Sequence, residues 1–242
     1  MLRVKEIKEQ PFILKFVNNF VIIILGGNNM DLNKIYSKVF GWMFFGLLVT
    51  FLTGYILANN VNMLLFVLEI PFIIYVILEI GLVIFLSARI HKMSDTTAKL
   101  CFLIYSFITG LTFSTIFIVY ELSSIIYVFG ITSLLFGIFA LFGHFTNIDL
   151  SKISTFLLMG LLGIIICSII NIFLGNSTFD LIITIISVVI FLAYTAYDMQ
   201  KIKRSINTLP EDNLAIISAL ELYLDFINLF LDLLRLFGKS ND

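Results

Sequence analysis

Five polar residues share one face of the last hydrophobic stretch of this 242-residue chain. The stretch covers residues 214–237 and is otherwise built almost entirely of Leu, Ile, Phe, Ala and Tyr. Spacings of four, three, four and three residues place the five within an arc of about 80° of a helix. A charge at mid-membrane costs roughly 2.5–3.5 kcal/mol, so the stripe must face protein or a wet cavity. We therefore predict a helix at the core of a bundle whose functional seam is formed by Glu221, Asp225, Asn228, Asp232 and Arg235.

A further acid, Asp198, lies at the end of the preceding hydrophobic stretch in the run AYTAYDMQKIKR. Met199 and Ile202 continue the apolar pattern, so we expect the helix to extend to about Arg204. Asp198 would then lie roughly 9 Å inside its helix, and Asp225 lies roughly 12 Å inside the next one. Sequential antiparallel helices can bring two aspartates at similar depth into contact.

Two carboxylates in contact cannot both ionise at small cost, and such a pair shares a proton and titrates as a unit. Without that proton, the two charges repel each other or attract a cation. Calcium favours oxygen ligands, which Asp198 and Asp225 supply. The residues therefore predict a proton-sensitive latch, a metal site for calcium, or both. The alternative is two unrelated buried acids with separate partners.

Other charged residues in the hydrophobic stretches are candidates for an ion path or for structural roles. Glu79 lies about 15 Å along its helix from Arg89. It is either a carboxyl group hydrogen-bonded to a neighbouring helix or part of an ion path, for which Glu221 and Asp232 are further candidates. Arg89 could simply anchor its helix end at the lipid phosphates. We expect no cofactor. The two cysteines lie in or beside apolar segments, so we expect buried small side chains there and neither a disulfide nor a metal pair.

The elements that must position these residues are transmembrane helices. The chain is 60% hydrophobic and 13% charged, whereas soluble domains are about 45–50% apolar and 25% charged. We predict an all-α integral membrane protein with a seven-helix bundle and the last helix at its centre. It has no basic tract of the kind that nucleic acid requires. The predicted spans are residues 39–58, 63–86, 100–120, 124–142, 153–174, 181–197 and 214–237.

Residues 1–30 precede this membrane domain, which we assign to residues 31–242. The extension is apolar in part but too short and too polar for a confident span, and we predict that it is interfacial or disordered. Translation could begin at Met1 or at Met30. All of the 15 lysines and arginines except Arg235 and Lys239 fall on one side of the predicted helices. This bias predicts a multi-pass protein of the plasma membrane with a cytoplasmic N-terminus and an external C-terminus.

The runs LEIGLVIFLSARI, TAYDMQKIK and ALELYLDFINLFLDLLRLFG together resemble the Bax-inhibitor-1 family, in its bacterial branch. The resemblance covers about residues 33–238. It implies a seven-helix bundle that encloses the last helix and acts as a pH-sensitive calcium leak. The gating aspartate pair of the family falls on Asp198 and Asp225, its latch arginine on Arg89, and its second-helix glutamate on Glu79.

Two other classes of function deserve comparison. An intramembrane aspartyl protease also uses two membrane aspartates, and Tyr197-Asp198 fits one half of its motif. However, Tyr223-Leu224-Asp225 stands where that class has Gly-x-Gly-Asp, so we expect no enzyme. The alternative to a channel is a regulatory or scaffolding membrane protein, of the stress or cell-death type, without intrinsic ion flux. We expect a monomer whose partners are the lipid bilayer, calcium and protons.

Overall fold

The computed structural model describes residues 30–206 and 208–241, so residues 1–29 of the extension predicted over residues 1–30 lie outside the described part. The described residues form eight α-helices and two short 3-10 helices, the latter at Ile90–Lys92 and Leu150–Ile153. The α-helices are α1 (Met30–Ala58), α2 (Val61–Glu69), α3 (Phe72–Arg89), α4 (Asp95–Val119), α5 (Leu122–Phe145), α6 (Ser154–Leu174), α7 (Ser177–Arg204) and α8 (Glu211–Phe237).

Seven of these helices are long and apolar enough to cross a membrane, which confirms the predicted fold class. Their outward faces carry exposed apolar side chains, such as Phe156, Ile172 and Phe173 on α6. In water such a surface would be unfavourable, whereas lipid chains solvate it readily. The molecule is therefore a multi-pass membrane protein.

The second predicted span is not one continuous helix. The structure divides it at Pro71 into α2, which ends at Glu69, and the longer α3. Proline lacks a backbone N–H and disfavours the helical conformation in the residue before it. Ile70 accordingly adopts an extended conformation, with ψ 124°. The single span predicted over residues 63–86 is thus corrected to a short helix followed by a membrane-crossing one.

Helix α8 is the centre of the bundle. In its most apolar window 72% of the residues are buried, compared with 11–39% in the other six membrane-crossing helices. It packs against α1, α4, α5 and α7, while α3 packs on α4 and α6 packs on α7. Asp225 and Asp232 of the polar stripe are buried against protein, as the cost of exposing charge to lipid requires, whereas Arg235 near the end of the helix is exposed.

Polar contacts fix the start of α8 at the end of the bundle that carries most of the lysines and arginines, which we call the basic end. Asp212 forms ion pairs with Lys38 of α1 and Lys99 of α4. The buried Asn213 side chain donates hydrogen bonds to the carbonyl oxygens of Ile90 (2.9 Å) and Met93 (3.0 Å). These contacts set the depth of α8 relative to three other elements.

The loop between α5 and α6 holds the last turns of α7. Arg204 Nη1 lies 2.8 Å from Asp149 Oδ1, and Gln200 donates to the carbonyl oxygen of Ile148 and accepts from the backbone N–H of Leu150. Hydrogen bonds from the side chain and backbone of Ser151, reinforced by Arg204, hold the pKa of Asp149 below its usual range. Helix α7 therefore continues well past Asp198, as the sequence pattern predicts.

Close packing between α5 and α7 depends on Gly143. A methyl group added at Gly143 would lie 2.0 Å from the carbonyl oxygen of Ala196, far inside van der Waals contact. The obstacle is backbone, so it cannot rotate away. Small residues commonly permit such close approach of helices in membranes.

We predict that Gly143→Ala separates α5 from α7 and lowers stability by about 1–3 kcal/mol, as overpacking usually does. Apparent Tm in detergent should fall. Gly130→Ala on the same helix is the matched control, because a methyl group there meets nothing within 4 Å. An equal Tm for both variants would contradict the close-approach argument.

Candidate gating site between the last two membrane helices

Asp198 of α7 and Asp225 of α8 meet inside the bundle. Both are buried, at 6% and 5% exposure, and their carboxyl groups lie within hydrogen-bonding reach of each other. One oxygen of Asp225, Oδ2, has no hydrogen-bond partner among the described residues. The predicted depth match of the two aspartates thus corresponds to a contact in the structure.

A second acid and a cation flank this pair on the side of the basic end. Lys201 lies three residues after Asp198, and Glu221 lies four residues before Asp225, so each shares a helix face with its aspartate. Lys201 Nζ lies 2.5 Å from Glu221 Oε1, and both side chains are partly buried. Lys201 also acts electrostatically on both aspartates. The pair is therefore part of a group of three acids and one cation.

Further polar contacts continue along the same helix interface towards the opposite end of the bundle. Asp232 is buried and accepts a hydrogen bond from Ser187. Arg235 Nη1 donates to the Thr184 hydroxyl group at 3.3 Å and lies 3.7 Å from Asp180 Oδ1. Together with the four residues of the acid and cation group, these side chains define what we call the polar seam.

The seam is interrupted between Asp225 and Asp232. Asn228 lies on this face of α8, yet its side chain donates to the carbonyl oxygen of Leu224 in its own helix, at 2.8 Å. On α7, the buried Phe191 lies between Asp198 and Ser187 in sequence. The structure thus contains two polar groups, one at each end of the interface, separated by a less polar interval.

Glu79 belongs to a different part of the bundle. It faces α4, where Thr109 and Thr112 lie within hydrogen-bonding reach of its carboxylate. Its Oε1 atom is buried without a partner among the described residues. Thr109 also lies within reach of the Tyr223 hydroxyl group, which bonds to Thr50 at 2.6 Å. The carboxylate therefore approaches α8 through threonine and tyrosine hydroxyl groups rather than through the polar seam.

Arg89 ends α3 at the basic end, and its side chain is exposed. In residues 30–206 and 208–241, no ion pair or hydrogen bond joins it to either aspartate. Lys201 instead is the cation beside the pair. The sequence reasoning missed this role, although the three-residue spacing from Asp198 and the acid one turn before Asp225 were visible signals.

The arrangement offers few ligands for a resident metal ion. No group of three or more His, Cys, Asp or Glu side chains in the described ranges is placed to hold one. Calcium usually takes six to eight oxygen ligands, of which two aspartates can supply only some. Two carboxyl groups in contact can share and exchange a proton.

Comparison with known proteins identifies the relatives of this chain. It is 43% identical to the inner membrane protein YbhL of Escherichia coli strain K12 over 211 residues, covering 84% of this chain and 90% of that protein. An uncharacterized protein of Borreliella burgdorferi is 41% identical over 217 residues, covering 87% and 94% of the two chains. A membrane protein of Streptococcus pyogenes serotype M1 is 31% identical, covering 90% and 98%.

The match to a protein family extends over nearly all of the described structure. Residues 32–242 match the family described as Inhibitor of apoptosis-promoting Bax1. This range includes every membrane-crossing helix and both aspartates of the pair. The sequence, the seven-helix arrangement and the relatives agree, and the chain belongs to the Bax-inhibitor-1 family of membrane proteins.

Proposed function

We propose that this protein is a proton-sensitive calcium leak channel whose gate is the Asp198–Asp225 pair. The observation that supports the proposal best is the buried contact between two carboxyl groups on neighbouring membrane helices. The resemblance to the bacterial calcium-leak branch of the family is the reason for proposing calcium as the transported ion. The role is transport rather than catalysis.

The gate follows from the electrostatics of the pair. A shared proton allows the two carboxyl groups to bond to each other and keeps α7 against α8. Loss of that proton leaves two negative charges in a poorly solvated site, where they repel each other and attract a cation. Separation of the two carboxylates would loosen the helix contact that the shared proton maintains. Calcium could then occupy the space between the carboxylates while keeping part of its hydration shell.

The remaining acids provide positions on either side of the gate at which the cation can bind transiently. Glu221 lies at the basic end of the seam and Asp232 lies beyond the less polar interval. Glu79, on the far side of Thr109, would serve a branch that enters beside α3. Lys201 and Arg235 offset part of the negative charge, which keeps cation binding weak enough for release.

We infer that the protein lies in the plasma membrane with its basic end in the cytoplasm and its C-terminus outside. The lysine and arginine bias supports this orientation. Calcium would then flow passively inward, from the end near Arg235 to the end near Lys201.

A C-terminal fusion to alkaline phosphatase, which is active only outside the cytoplasm, tests the orientation. We expect phosphatase activity in bacterial cells expressing the fusion. A fusion of green fluorescent protein at the same position should be dark if it is exported unfolded. Fluorescence from that second fusion, without phosphatase activity, would reverse the proposed direction.

Neutralising either aspartate should remove the pH dependence of calcium entry. Asp198→Asn and Asp225→Asn each leave one carboxyl group that no longer shares a proton with a partner. Calcium entry into proteoliposomes from about pH 6 to pH 8 is the measurement, spanning the range in which a coupled carboxyl pair can titrate. Asp95→Asn, the same change at an exposed aspartate on α4, is the control.

Either of two results would contradict the proposed gate. If both variants keep the wild-type pH profile, the pair is not the sensor. If the wild type shows no flux at any pH, the protein is not a leak, and the regulatory or scaffolding alternative replaces it.

Either Lys201 or Arg89 could be the cation that stabilises the ionised pair, and the two assignments lead to opposite predictions. Lys201 lies beside the pair, so Lys201→Gln should disfavour the ionised state and move the pH midpoint of flux upward by about 1 unit. Lys201→Arg keeps the charge and should largely restore the midpoint. Arg89→Gln should leave it unchanged, because Arg89 is exposed and has no ion pair with the aspartates.

The opposite pattern would identify Arg89 as the latch that the family resemblance implies. A midpoint that moves with Arg89→Gln but not with Lys201→Gln would require Arg89 to reach the pair in another conformation. The two variants thus distinguish a fixed cation beside the gate from one that moves to it.

A further inference from the structure

A cavity of about 480 Å³ lies at the basic end between α1, α5 and α7, outside the polar seam. Its size falls within the range of small-molecule and cofactor sites. Apolar walls come from Phe40, Phe136, Leu141 and Met199. Phe40 is also exposed at the protein surface, so the cavity opens where the bundle meets its surroundings. In a membrane protein, those surroundings are lipid chains.

Polar groups line the same cavity on the side of α1. Asn33 and Ser37 contribute side chains that make no hydrogen bond in the described part of the chain. Tyr36 is 9% exposed, and its buried hydroxyl group has no hydrogen-bond partner there. An unpaired buried hydroxyl group is unfavourable by about 1–3 kcal/mol. Its ring and the His144 ring pack in a T-shaped arrangement, with centroids 5.0 Å apart.

A cation without an acidic partner lies beside this polar side. Lys203 is exposed and close enough to His144 to interact with it electrostatically. Its neighbours Lys201 and Arg204 form ion pairs with Glu221 and Asp149, whereas Lys203 forms none with any described residue. The cavity thus combines an apolar interior with unpaired polar groups, and the positive charge of Lys203 acts on His144, one of its lining residues.

We propose that this cavity binds an anionic phospholipid from the adjacent leaflet. One acyl chain occupies the apolar space, and the phosphate group lies near Lys203. The headgroup or ester oxygens accept hydrogen bonds from the side chains of Asn33 and Ser37. An amphiphile of this kind matches the cavity at both ends, whereas a neutral apolar ligand would leave the polar groups and Lys203 without partners.

The surrounding membrane makes the lipid the favoured occupant. The open side of the cavity adjoins the lipid-facing surface of α1, where Phe40 and Phe44 are exposed. A lipid can therefore enter sideways without crossing water. Met199, which lines the cavity, is adjacent in sequence to Asp198, so a bound lipid would contact α7 beside the aspartate pair. The binding proposal itself does not depend on calcium flux.

Gly137 allows the cavity to be filled without disturbing the bundle. It lines the cavity, and a methyl group added there meets nothing within 4 Å. Gly137→Phe should therefore fold while occupying the space of the acyl chain. Gly130→Phe is the matched control: it lies on the same helix about two turns away, is equally open and does not line the cavity.

The experiment is native mass spectrometry of the full chain, extracted from vesicles containing equal amounts of phosphatidylglycerol and phosphatidylcholine. We expect the wild type and Gly130→Phe to retain bound phosphatidylglycerol. Retention by Gly137→Phe should fall about tenfold, which corresponds to about 1.4 kcal/mol of binding free energy. Equal retention by Gly137→Phe and the wild type would overturn the proposal.

Lys203→Gln tests the part of the proposal that concerns charge. It should abolish the preference for phosphatidylglycerol over phosphatidylcholine, because only the former carries a net negative charge. Lys152→Gln, at an exposed lysine in the 3-10 helix Leu150–Ile153, should keep the preference, because Lys203 is the lysine that acts electrostatically on the lining residue His144. An unchanged preference in Lys203→Gln, or no preference in the wild type, would overturn the assignment of an anionic lipid.

Discussion

Burial of acidic side chains inside an apolar bundle is the constraint on which this structure depends. Asp225 and Asp232 lie on a helix whose remaining residues are mostly apolar, and exposure of their carboxylates to lipid would be costly. The helix must therefore be surrounded by protein. The arrangement of α1, α4, α5 and α7 around α8 satisfies that requirement. Asp198 is buried in the same interior, so the surrounding helices keep its carboxyl group away from lipid as well.

The ends of α8 are fixed by different means from its middle. At the basic end, Asp212 and Asn213 connect it to α1, α4 and the segment after α3. At the other end, Lys239 lies 2.5 Å from Glu121, whose pKa it holds below the usual range. The middle depends on packing and on the polar seam. Movement at the aspartate pair could thus take place within a helix that is anchored at both ends.

Helix α7 is the element that connects the two sites. One face presents Asp198 and Lys201 to α8, while Met199 lines the lipid-sized cavity beside α1 and α5. The backbone of Ala196 contacts Gly143, which fixes the approach of α5. Small displacements of α7 would alter the pair and the cavity at the same time, because both are built on the same two helical turns.

The sequence by itself determined the class of the protein, its membrane-crossing helices and the importance of the last one. These features follow from hydropathy and helical periodicity, which can be evaluated within one segment without knowing its neighbours. It also predicted the extension of α7 past Asp198, because Met199 and Ile202 keep the apolar pattern. Pro71 is visible in the sequence, but the second span was predicted as one continuous helix through it.

Only the tertiary structure decided which other charged residues lie beside the aspartate pair. Periodicity places a residue on a face of its own helix, yet it does not say which neighbour that face contacts. Lys201 rather than Arg89 therefore lies beside the aspartates, and Glu79 faces the hydroxyl groups of α4 instead of the polar seam. The cavity at Gly137 was invisible for the same reason, because it exists only where three helices fail to fill the space between them.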